Sequence, residues 1–146
     1  RGRNMYKKDY LQRQFEEFGK VLAMLLGYRN KKDWDRYEKE MQEASLNFTS
    51  LDINHILQLD EEAFKVTVVE TQNLLPAQKK ILAALMFDTI EFYAAIGKVA
   101  DYKNSVQKCR ALYRFLQDNL TENEFDLEVH YRIQTLEKLN EEIRKA

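Results

Sequence analysis

Two acidic side chains, Asp88 and Glu91, interrupt the otherwise apolar stretch between Pro76 and Ile96. A carboxylate inside a hydrophobic helix must find a cation or hydrogen-bond donors, or else keep its proton. The pair therefore reads either as the wet face of that helix or as a polar site within a bundle, with Lys98, Arg110 or Arg114 as charge partners. In the second case it is the place to seek a small ligand or a hydrolytic reaction, with a histidine as the third member. Only His55 and His130 are available. Asp52 precedes His55 by three residues and Asp126 precedes His130 by four, spacings at which a carboxylate and an imidazole share a helix face and a proton. A metal site in a helical bundle calls for paired Glu-x-x-His motifs, and the sequence has none. Cys109 falls between Val106 and Tyr113 at apolar spacing, which suits a buried, inert thiol better than a nucleophile. The glycines stand at 2, 19, 27 and 97 and form no phosphate-cradling loop. The expectation is a chain with no catalytic residue, no metal and no cofactor.

The aromatic residues offer a different chemistry, that of a contact surface. There are eight Tyr, eight Phe and one Trp. Most fall on apolar stripes, but Tyr6, Tyr10 and Tyr28 lie off them or at helix ends, and exposed aromatics are enriched where proteins meet. Tyr10 and Tyr28 are thus candidate partner residues alongside the weak ligand candidates Asp88 and Glu91. The expected partner is a protein or peptide, or a second copy of the chain in a homodimer. The balance of 23 basic against 24 acidic residues gives a net charge of −1, which speaks against nucleic acid. Four basic residues, Arg1, Arg3, Lys7 and Lys8, open the chain, but Glu16, Glu17 and Lys20 break the apolar stretch behind them, so no secretory signal is expected. No apolar run approaches the ~18 residues needed to span a bilayer, and a cytoplasmic protein without membrane contact is the expectation.

These side chains must be positioned by helices. One proline, four glycines and one cysteine in 146 residues are too few for tight-turned β-architecture or a disulfide scaffold. Leu11, Phe15, Phe18, Leu22 and Leu25 step by four and three along one helical stripe, with Val21, Met24 and Leu26 widening it. The second half of that helix is therefore expected to be buried on several sides, with Gly27 as its stop. Trp34, Tyr37, Met41, Ala44 and Phe48 trace a second helix capped by Asp33, which closes an antiparallel hairpin over residues 7–48. Residues 49–73 form an irregular helical insert. Within it Asp60 caps a staple between Leu59 and Phe64, and the β-branched run from Val66 to Val69 is read as helix. Pro76 starts a long central helix that Gly97 ends, and Tyr102, Val106, Cys109, Tyr113, Leu116 and Leu120 follow behind Asp101 as cap, completing a second hairpin over 76–120. Thr121 to Glu124 has the spacing of a capping box, and Val129, Ile133, Leu136, Leu139 and Ile143 trace a covering helix over 124–144. The whole is one all-α domain, residues 1–146, of six or seven helices.

Asp33-Trp34 and Asp101-Tyr102 each follow a short connection out of an apolar helix, and they stand 68 residues apart, twice 34. That spacing resembles the tetratricopeptide repeat, whose period is about 34 residues and whose second helix begins after a similar turn. The copy between them, which would turn near Thr67, is missing. The run DYLQRQFEEFG, Asp9 to Gly19, is similar to the start of uncharacterised bacterial helical proteins with tetratricopeptide-like folds. The resemblance implies stacked helical hairpins that bind a protein or peptide, and it implies no catalytic residue.

Overall fold

A computed structural model describes residues 2–120 and 126–145, with the side chains of 2–9, 11 and 99–101 left aside. Every regular element among the described residues is helical. Helix α1 (Gly2–Asn30) and α2 (Trp34–Thr49) form the first hairpin. The turn between them is compact because one residue, Lys32, takes the left-handed conformation at φ 58°. The Lys32 N–H then reaches the Arg29 carbonyl at 3.1 Å and the Asp33 N–H reaches the Tyr28 carbonyl at 2.9 Å, the paired bonds of a Schellman ending. Asp33 at once begins the next helix, its carboxylate accepting the Arg36 N–H. The expected stop at Gly27 is therefore wrong: α1 runs straight through it, and the Gly27 carbonyl accepts the Lys31 N–H as any helical carbonyl does. The left-handed residue is needed next to the cap of α2, and Gly27 lies too early in the chain to supply it.

Helix α5 (Pro76–Ile96) does end at a glycine, Gly97, whose φ is 77°. The Lys98 N–H returns to the Tyr93 carbonyl, and α6 (Val99–Asp118) starts immediately. Asp101 consequently lies inside α6 and is not its cap, because the turn at Gly97 leaves no room for three more residues. The expected capping box at Thr121 to Glu124 lies outside the described residues. Helix α7 (Leu127–Lys145) begins later than expected, behind Asp126, whose carboxylate accepts the Val129 N–H at 3.1 Å.

The insert holds α3 (Ile53–Gln58) and α4 (Glu61–Phe64), the latter running into a π-helical turn, Lys65–Val69. Asp52 and Asp60 cap the two short helices, accepting the Asn54 and Ala63 N–H groups. The β-branched run is helical, and the wide turn accompanies burial of two consecutive valines, Val68 and Val69. Ser45 joins α2 to the insert by accepting the Ile53 N–H at 3.0 Å.

Helix α5 lies at the centre. Six consecutive residues, Ile81 to Met86, are buried, which requires neighbours on nearly every side: α6 packs along it, α2 and α1 meet it elsewhere, and α7 covers α6. At ~1.5–3 kcal/mol for each large apolar side chain removed from water, this helix supplies much of the hydrophobic stabilisation. Tyr37 stacks on Phe92 with ring centroids 4.4 Å apart, fixing α2 against α5. Helix α1 departs from expectation. Phe18 and Leu25 are buried, but Met24 is 44% exposed and Leu26 52%, so the second half of α1 is not buried on several sides as expected.

Candidate functional site

Asp88 and Glu91 separate. Glu91 is exposed. Asp88, a turn earlier on α5, is largely buried and meets two donors from other helices. The Tyr37 hydroxyl of α2 donates to Oδ2 at 2.5 Å, and Arg29 Nη1 of α1 donates to Oδ1 at 3.4 Å. Burial pushes the Tyr37 phenol far above its ordinary range, and the neighbouring negative charge of Asp88 pushes it further. A carboxylate with both oxygens so engaged acts as an acceptor that fixes three helices in register. The expected charge partners are elsewhere: Arg110 and Arg114 both reach Glu137 on α7, and Lys98 is exposed.

The acid–histidine pairs also resolve into helix chemistry. Asp52 accepts Gln42 Nε2 at 2.9 Å besides capping α3, while His55 is exposed. Asp126 accepts Lys80 Nζ at 2.5 Å. Burial alone would raise the Asp126 carboxyl, but the hydrogen bonds from Lys80 and the Val129 N–H outweigh it and hold the group below its ordinary value. Cys109 is buried, its Sγ 3.6 Å from the Ala83 carbonyl, and desolvation pushes the thiol well up. Among the described residues no cluster of three His, Cys, Asp or Glu side chains is arranged to hold a metal ion, and no helix is long and apolar enough to cross a membrane.

Of the two tyrosines, Tyr28 is half-buried against the core. Tyr10 is 65% exposed and stands with Arg13, Glu40 and Phe48 around a cleft of about 440 Å³ between α1 and α2. The opposite flank of α1 is open as well. Phe15, Gly19 and Leu22 wall a smaller cleft of about 170 Å³, facing Glu128 and Arg132 of α7 across a floor of Ile81 and Ala84. Phe15 and Leu26, three helical turns apart, are both exposed on this flank.

Two buried cations escaped the sequence reading. Lys79 of α5 and Lys108 of α6 are each only 5% exposed. Lys79 Nζ donates to the carbonyl of Val69, the last residue of the π-helical turn, at 2.7 Å, and Lys108 Nζ donates to the Leu57 carbonyl near the end of α3 at 2.5 Å. Neither short helix ends at a glycine, and a lysine from a long helix satisfies the carbonyl that such a cap would have served. Burial lowers both ammonium groups, with the negative charges of Asp60 and Glu61 pulling Lys108 partly back. The signal was present in the spacing: Lys79 stands on the stripe of Leu82 and Met86, and Lys108 beside Ser105 and Leu112. Positions on a core stripe that carry lysine mark a cation with an internal task. No protein-family profile matches this sequence, and no curated protein or solved structure matches it either.

Proposed function

We propose that this chain is a non-enzymatic protein-interaction module built from tetratricopeptide-like helical hairpins, and that its first partner is a second copy of itself. The observation that carries this reading is the exposure of large apolar side chains on one flank of α1, where Phe15 is 40% exposed and Leu26 52%. That flank is the proposed contact between the two copies. The buried, unpaired cysteine suits a reducing compartment, and we place the protein in the cytoplasm. The competing reading, a ligand or hydrolase site at Asp88 and Glu91, has less support, since Tyr37 and Arg29 engage both oxygens of Asp88 and Glu91 stands apart on the surface.

Sedimentation velocity across the micromolar range tests the reading. A species of twice 17.4 kDa is expected, reverting to the single mass in the Phe15→Glu/Leu26→Glu double variant. A single-chain mass for the unmodified protein throughout that range would overturn self-pairing.

A further inference from the structure

We draw no further inference here: the strongest candidate, the cleft of about 770 Å³ between the π-helical turn and α6, is lined among the described residues by as many acidic as basic side chains, and nothing in the structure shows what covers it.

Discussion

At the scale of single residues, Asp88 is engaged by Tyr37 and Arg29, and the energetics of that contact are open to measurement. The Tyr37 hydroxyl donates to a charged, largely buried carboxylate, a bond of the kind worth ~1.5–3 kcal/mol. Tyr37→Phe keeps the ring stack on Phe92 and removes only that donor, so a loss of about 2 kcal/mol in urea unfolding is expected. A loss below about 0.5 kcal/mol would mean that Asp88 is held by Arg29 and solvent instead. The buried phenols and thiol also set the response to alkali. Burial raises Tyr37, Tyr113 and Cys109 far above their ordinary values. In the unfolded chain the tyrosines release their protons near pH 10 and the cysteine near about 8.5, while the folded chain keeps all three. The folded state then binds more protons, and stability falls by ~1.4 kcal/mol per pH unit for each group, or ~4 for the three together above about pH 10. Lys79 and Lys108 act in the opposite sense, because their lowered folded values make the unfolded chain the better proton binder until about pH 10.4. Urea midpoints that hold nearly level into the region of pH 9–10 and then drop steeply are expected. A gradual decline beginning near neutrality would contradict the burial of these groups.

At the scale of elements, two glycines that look alike in sequence have opposite roles. Gly27 lies within α1 with open space where a Cβ would stand, whereas Gly97 holds φ at 77°. Gly27→Ala is therefore expected to stabilise the protein by about 0.5–1 kcal/mol, the helix-interior difference between the two residues. Gly97→Ala is expected to cost ~1–2 kcal/mol through backbone strain alone. Thermal or urea unfolding of the two variants reads both signs, and a destabilised Gly27→Ala would return the helix end to position 27. The same contrast explains what the sequence could disclose. Stripes at three-four spacing placed Tyr37, Met41, Cys109 and Ile133 correctly in the core, because apolar periodicity reports one helix at a time. Helix ends were harder to read. Lys32 supplies a left-handed turn that glycine usually supplies, and Asp126 supplies a cap that the preceding residues imitate. The candidate site was least legible of all: whether Asp88 meets Arg29 or Arg110 depends on which helices pack together, and no spacing along one helix contains that information.

At the scale of the whole molecule, the question is why α1, among the most apolar stretches of the sequence, leaves Phe15, Met24 and Leu26 exposed. A helix of 29 residues extends ~43 Å, whereas its hairpin partner of 16 residues extends ~24 Å. The partner is too short to shield the full length, and α5 meets α1 in few places. Met24 and Leu26 nonetheless lie in the shielded half, so length alone does not explain their exposure, and the proposed second copy would cover Leu26. If a second copy does so, folding and association are linked, and unfolding must depend on protein concentration. For a dimer that unfolds to two chains, each tenfold rise in concentration adds ~1.4 kcal/mol per dimer, which for this chain length raises Tm by about 2 °C. Phe15→Glu/Leu26→Glu is expected to remove this dependence. Because both side chains are exposed, the double variant is also expected to keep the helical circular dichroism of the folded chain, so that loss of the dependence reports the contact and not the fold. A Tm that is independent of concentration in the unmodified protein would leave the α1 flank without a second copy as its partner.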